Sequence, residues 1–245
     1  MAEALVEVRD LSVDYDSGSG PSVGPEKRKA AIERISFSVG AGEKLALIGA
    51  NGAGKSTLLL ALAGALLPHA GCITIDGVPA GKDTLTQIRQ KSGLVFQNPD
   101  DQFFMPTVEE DICFGPRNYG VAGEDLKRKL EAVLGMLNIE NLKNRSAHRL
   151  SGGEKRLAAL AGILIMEPPL LLLDEPTSFL DPRSRRGLIR ILKSLSQTMI
   201  IATHDLDMAQ ALCSRAVILR EGEIAAEGKI DTLLKSSALL EDWGL

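Results

Sequence analysis

No apolar run in this sequence is long enough to cross a bilayer. The longest, Leu157 to Met166, falls well short of the ~20 residues a spanning helix needs, so any membrane association is expected to be peripheral, through a partner. Aromatic residues make up only 4% of the chain, leaving few platforms on which bases could stack. A net charge of -4 and a pI near 5.5 give no general attraction for a polyanion, so nucleic acid is not an expected partner. Cysteine is scarce too. Cys72, Cys113 and Cys213 lie far apart without metal-ligand spacing, which speaks against a disulfide framework or zinc site and fits a reducing cytoplasm. The opening "MAEALVEVRD" lacks the basic start and apolar stretch of a secretory signal.

What the 245 residues do contain is an alternation of strands and helices. Residues 5–14 and 31–39 alternate apolar and polar side chains and read as an antiparallel start, separated by the Gly-, Ser- and Pro-rich loop 16–29. "KLALIGA" (44–50) is a strand ending in glycine, and a helix begins at "KSTLLLALAGALL". "CITIDG" (72–77) and "KSGLVFQ" (91–97) are further strands, and helices dominate from 107 to 167. Among them, 124–137 puts Leu126, Leu130, Val133, Leu134 and Leu137 on one stripe. From 170 onward "LLLLDEP", "DPRSRRGLIRILKSL", "TMIIATHD", "LDMAQALC" and "RAVILREGEIAAEG" read as strand, helix, strand, helix and hairpin. This predicts an α/β fold: a P-loop NTPase core with a mainly parallel sheet, an N-terminal antiparallel β subdomain and a helical insertion subdomain. The end, 229–245, supplies about one helix and a tail.

"GANGAGKST" (49–57) fits G-x-x-x-x-G-K-[ST] between a strand and a helix. Gly49, Gly52 and Gly54, with Ala50, Asn51 and Ala53 between them, allow backbone N–H groups to converge on phosphates, aided by the helix dipole. Lys55 would then reach the β- and γ-phosphates of ATP, Ser56 would ligate Mg²⁺, and Thr57 would serve the α-phosphate. Four leucines bury the strand that delivers Asp174 at its C-terminal end, where it can hold Mg²⁺ directly or through water. Glu175, one residue on, is placed to polarise or deprotonate the attacking water.

A second anion site is written into "LSGGE" (150–154). Ser151 and Glu154 form a capping box, and Gly152 and Gly153, just before the expected helix, leave backbone donors open. A chain that already holds its own phosphates gains little from this. The economical reading is a head-to-tail dimer in which each signature segment serves a nucleotide held mainly by the other copy.

In order and spacing these motifs resemble the ATP-binding-cassette ATPases over nearly the whole chain. The resemblance implies a single domain, with a RecA-like core from about 1–96 and 168–245 and a Q-loop and helical subdomain from about 97–167. It implies that Gln97 senses Mg²⁺ and water, that Asp181 in "SFLDP" is the D-loop aspartate, that His204 contacts the γ-phosphate, and that Tyr15 stacks on adenine. Phe179 departs from the small residue common at its place in the D-loop. The segment 96–120 resembles ATPases of energy-coupling-factor importers, particularly cobalt and nickel modules. Asp100, Asp101, Glu109, Glu110 and Asp111 with Phe103 and Phe104 would form an acidic seat for a basic, partly apolar coupling helix of a membrane partner. A second ATPase subunit, a transmembrane coupling protein and a substrate-binding membrane protein are the implied partners, at the cytoplasmic face of the membrane. A vitamin such as biotin is the alternative cargo, and a non-transport protein acting on DNA or ribosomes the alternative class.

Overall fold

The computed structural model describes residues 4–14 and 31–235. Tyr15, the loop 16–29 and the tail after 235 lie outside the described residues, so the adenine-stacking reading of Tyr15 has no structural counterpart. The chain runs β1 (Ala4–Val13), β2 (Ile32–Gly40), β3 (Lys44–Ile48), α1 (Lys55–Leu62), β4 (Ala70–Ile75), β5 (Val78–Pro79), α2 (Leu85–Lys91) and β6 (Ser92–Val95). It continues through α3 (Val108–Asn118), α4 (Gly123–Leu137), α5 (Gly152–Leu164), β7 (Leu170–Asp174), α6 (Pro182–Ser194), β8 (Thr198–Thr203), α7 (Leu206–Leu212), β9 (Arg215–Arg220), β10 (Glu223–Lys229) and α8 (Ile230–Leu233).

Two sheets form. The smaller, in the order β2-β1-β4-β5, is antiparallel throughout, as the alternation near the N-terminus predicts. The larger has the order β10-β9-β3-β8-β7-β6 and is parallel except for β10, which folds back on β9 as a hairpin. Its central strands show why unbroken apolar runs make parallel strands. In β7, Leu171 and Leu173 enter a core shared with α3, α4 and α5, while Leu170 and Leu172 enter the opposite core against the small sheet and α1. β8 divides the same way, with Met199 and Ile201 on one face and Ile200 and Ala202 on the other. Each such leucine or isoleucine contributes about 1.5–3 kcal/mol of burial, and the double-sided arrangement holds the strand ends in register. Asp174 therefore emerges where two buried faces and two neighbouring strands fix its position.

The stripe on α4 is buried as its spacing predicts. At the opposite end of the sheet, Arg215 binds the carboxylates of Glu43 and Glu227 and the Ser38 carbonyl, joining β9 and β10 to β2. One sequence expectation shifts. Gly152 and Gly153 are the first two residues of α5, not a linker before it, with Ser151 as the N-cap.

Candidate active site

The loop between β3 and α1 winds around a cavity of about 730 Å³ lined by Asn51–Thr57, Gln97, Asp174 and Glu175. Gly54 caps α1 at φ 103°, a left-handed conformation that glycine enters without strain. A Cβ there would also fall 2.6 Å from the Ile32 side chain and 2.9 Å from the Ala31 carbonyl. The loop is braced from outside, because Gly222, in the β9–β10 turn, donates its N–H to Ala53 and accepts from Glu33. Ala31 and Glu221 of these bracing segments line the cavity as well. Nothing in their local sequence marks them, since they arrive through the packing of β2 and the hairpin on the loop.

Lys55 is buried, and its ammonium donates to the carbonyls of Gly49 at 2.6 Å and Ala50 at 3.1 Å, with Glu175 3.9 Å away. Burial pulls its pKa down, against the opposing pull of Glu175 and Asp174. Glu175 has φ 44°, and its N–H donates to the Ala202 carbonyl of β8 at 2.9 Å. Its side chain receives the Thr203 hydroxyl at 3.2 Å and stands 2.8 Å from His204 Nδ1. The carboxylate is thus held between two residues of the β8 end, one of them outside the sequence reading. Thr203 is itself fixed by the Asp205 N–H, and Asp205 by a two-point contact with Arg185. That contact holds the Asp205 carboxyl below its ordinary range, with hydrogen bonding from Arg185 as the largest cause.

Asp174 is buried, and its Oδ1 has no hydrogen-bond partner. Burial raises its pKa, partly countered by the neighbouring Ser56 hydroxyl. A buried carboxylate oxygen without a donor, a serine hydroxyl beside it and an amide on the cavity wall form an all-oxygen set that suits a hard divalent cation such as Mg²⁺. The raised pKa carries a sign. The fold favours neutral Asp174, so the stability this gives is present below the ordinary value of 3.8 and is lost as pH rises through the raised one. At neutral pH the ionised carboxylate therefore destabilises the nucleotide-free protein. Asp174→Asn is expected to raise its melting temperature at pH 7, by about 2–4 °C for each 1 kcal/mol relieved. Below the ordinary aspartate pKa the advantage should vanish. Calorimetry at several pH values checks this, and a lower melting temperature at pH 7 would contradict it.

Gln97 stands exposed on the cavity wall, and its backbone is held by a residue the sequence reading passed over. Arg156 of α5 is 2% exposed and donates to the carbonyls of Phe96 at 2.6 Å and Gln97 at 2.7 Å. Lys155 pairs with Asp100 at 2.5 Å, and Gln102 donates to the Ala159 carbonyl at 3.2 Å. The helix that begins at the signature glycines is thereby tied directly to the loop carrying Gln97.

Ser151, Gly152, Gly153, Glu154 and Asp181 do not line the cavity. They form a second cluster. Ser151 and Glu154 exchange capping hydrogen bonds at 2.8 and 3.3 Å, as their spacing predicts. Asp181 caps α6 through the N–H groups of Arg183 and Ser184. A Cβ on Gly153 would lie 2.7 Å from the Ser184 hydroxyl, so this glycine is required by packing against α6 as well as leaving the helix start open. In the segment 100–111, expected to seat a membrane partner, the structure gives each acid a partner within the chain. Asp100 is paired with Lys155, Glu110 caps α3 with Thr107, Asp111 accepts from Phe104 and Met105, and Glu109 lies 3.5 Å from Lys143. Asp101 accepts from the Asn98 side-chain amide at 3.1 Å. Beside the exposed Asp100 and Asp101 the region presents Phe104, 63% exposed, stacked edge-to-face on Phe114 above a small groove reaching Gly162 and Ile163.

Residues 32–178 match the family model described as ABC transporter. The chain is 44% identical over 241 residues to the energy-coupling factor transporter ATP-binding protein EcfA of Methanothermobacter thermautotrophicus, covering 96% of this chain and 74% of that protein. Among solved structures it is similar to cbiO1 of Clostridium perfringens, part of the ABC transporter complex cbiONQ. The TM-score is 0.82 and the identity 32%, over 98% of this chain and 94% of that one. It is also similar to the ATP-binding cassette MJ0796, in a dimeric post-hydrolysis state bound to ADP and Pi. There the TM-score is 0.80 and the identity 28%, over 92% and 98%. No helix among the described residues is long and apolar enough to cross a membrane.

Proposed function

We propose, for a chain that belongs to the ATP-binding-cassette transporter family and to its energy-coupling-factor branch, that it is the ATP-hydrolysing motor of an importer for cobalt or nickel, working as a dimer. The observation that carries the dimer is the separation of the two clusters: Lys55, Asp174 and Glu175 share one cavity, while Ser151–Glu154 do not line it. Gly152 and Gly153 of a second copy would supply the wall each cavity lacks. Similarity to cbiO1 of the cbiONQ complex favours a metal cargo over a vitamin. Residues 97–167 then act as the arm that meets the membrane partner, through the Phe104 and Phe114 groove.

In this reading Lys55 leaves the Gly49 and Ala50 carbonyls and donates to β- and γ-phosphate oxygens. Ser56, Asp174 and Gln97 would hold Mg²⁺, which would supply positive charge to offset that of the phosphates. Glu175, steadied by Thr203, accepts the proton of the water that attacks the γ-phosphorus, and ADP and phosphate leave. His204 turns from Glu175 toward the γ-phosphate. Arg156 carries any shift of Gln97 into α5, and so into the signature segment.

Affinity purification from native membranes, followed by uptake assays with labelled cobalt, nickel and biotin, tests the role. A multi-spanning membrane protein is expected to co-purify, and metal uptake should stop in a strain carrying Lys55→Ala. Biotin uptake would move the cargo to the vitamin class, and a co-purifying ribosome without membrane protein would overturn transport altogether.

A further inference from the structure

Three carboxylates line the nucleotide cavity, and only two of them serve the metal and the attacking water. Asp174 and Glu175 stand at the end of β7, while the third, Glu221, comes from the β9–β10 turn. Arg220 faces Glu223 across that hairpin, so the turn has two central residues, Glu221 at φ 50° and Gly222 at φ 88°. A two-residue turn with both φ values positive favours asparagine, aspartate or glycine, and the hairpin alone does not explain a glutamate in its first position. Its place beside the phosphate loop is fixed. The Gly222 N–H donates to the Ala53 carbonyl at 3.1 Å, the Gly222 carbonyl accepts from the Glu33 N–H at 2.8 Å, and a Cβ on Gly54 would lie 3.7 Å from the Gly222 Cα. Glu221 is exposed, and among the described residues its carboxylate has no hydrogen-bond or ion-pair partner.

We propose that Glu221 is a specificity-determining residue that binds the ribose hydroxyls of the nucleotide. This rests on the assignment of the cavity to ATP. β7 and β9 end on the same edge of the larger sheet, with β8 and β3 between them, which at the usual strand spacing puts the two ends about 14 Å apart. The phosphate loop leaves β3 between those ends. With the γ-phosphate turned toward Asp174 and Glu175, the phosphates run across the loop and the sugar emerges on the Glu221 side. A carboxylate in a polyanion site is repelled by the phosphates, so it has to meet a neutral part of the ligand that carries donors. An ionised carboxylate only accepts hydrogen bonds, and the 2′- and 3′-hydroxyls of ribose are adjacent donors that its two oxygens can take together. The short turn braced on Ala53 and Glu33 holds the carboxylate at a fixed height beside the cradle, so a nucleotide lacking either hydroxyl leaves one oxygen without its donor.

The test measures equilibrium binding of Mg-ATP, 2′-deoxy-ATP, 3′-deoxy-ATP, inosine triphosphate and tripolyphosphate to the full chain. A Glu175→Gln background slows turnover, and the same chain with Glu221→Asn is compared, alongside melting curves without nucleotide. Asparagine suits the turn but is shorter and uncharged. With Glu221 in place, ATP is expected to bind about 10-fold more tightly than either deoxynucleotide, the effect of one hydrogen bond to a charged group. Glu221→Asn should bring the three within about 2-fold of one another, leave tripolyphosphate binding undiminished and melt no lower than its parent. A preference for ATP over the deoxynucleotides that survives Glu221→Asn overturns the proposal, as does a parent that shows no such preference. Weaker tripolyphosphate binding or a lower melting temperature in Glu221→Asn would make the residue a brace of the loop and also overturn it. A change confined to the discrimination between ATP and inosine triphosphate would move the contact to the adenine amino group, against the proposal. If neither ATP nor tripolyphosphate binds the parent, the assignment of the cavity to ATP falls, and this inference with it.

Discussion

Lys55→Ala is expected to lower ATP hydrolysis by at least about 10²–10³-fold, the usual effect of removing one donor aimed at developing charge in a dry site, and to weaken ATP binding as well. The ammonium is satisfied by two loop carbonyls, which hold it in the cradle with little side-chain entropy left to lose. The variant should still fold. Burial outweighs the pull of Glu175 and Asp174 on Lys55, as its lowered pKa shows, so deleting the charge removes an unfavourable desolvation together with its favourable contacts. Phosphate release and binding of a fluorescent ATP analogue, with a melting curve as the control for folding, check the prediction. Undiminished turnover would mean that the phosphate cradle is misassigned.

Glu175→Gln separates binding from chemistry. Glutamine keeps the shape of the side chain and can still meet Thr203 and His204, but it cannot take a proton from water. Hydrolysis is expected to fall by about 10²–10⁴-fold, the range for losing a general base, while ATP affinity stays near that of the parent. Lys55→Ala should lose both. Single-turnover hydrolysis and equilibrium ATP binding on the same preparation distinguish the two variants. Hydrolysis at the parental rate in Glu175→Gln would place the base elsewhere.

These two residues were legible in the sequence because short motifs fix them locally. A strand, a glycine loop and a helix place Lys55, and four leucines followed by acids place Asp174 and Glu175. The parallel sheet was legible for a related reason: runs such as "LLLLD" and "TMIIAT" can be buried only between two layers. Arg156 was not legible. Its partners are backbone carbonyls about sixty positions earlier, and a carbonyl carries no residue signature. Glu221 and Ala31 reach the cavity through packing alone. The acidic segment was legible only in part. Five carboxylates within twelve residues look like free surface charge, yet helix capping, loop hydrogen bonds and two lysines from distant elements engage all five, and Phe104 stands exposed among them. Gly153 shows how one residue can answer to two demands, since the sequence reveals its open helix start and only the fold reveals Ser184 against it.

The composite site is the idea on which the rest depends, and its most direct measurement is the mass of the Glu175→Gln protein in solution with and without Mg-ATP, in the presence and absence of a Ser151→Arg change. Ser151 lies outside the cavity of its own chain, so the arginine should leave ATP binding to the single chain intact. With Mg-ATP, the Glu175→Gln protein is expected to sediment at twice its 26.2 kDa, and the Ser151→Arg double variant to bind ATP yet remain a single chain. A Glu175→Gln protein that binds ATP and stays monomeric, or a Ser151→Arg variant that doubles in mass just as readily, would contradict a site built from two copies.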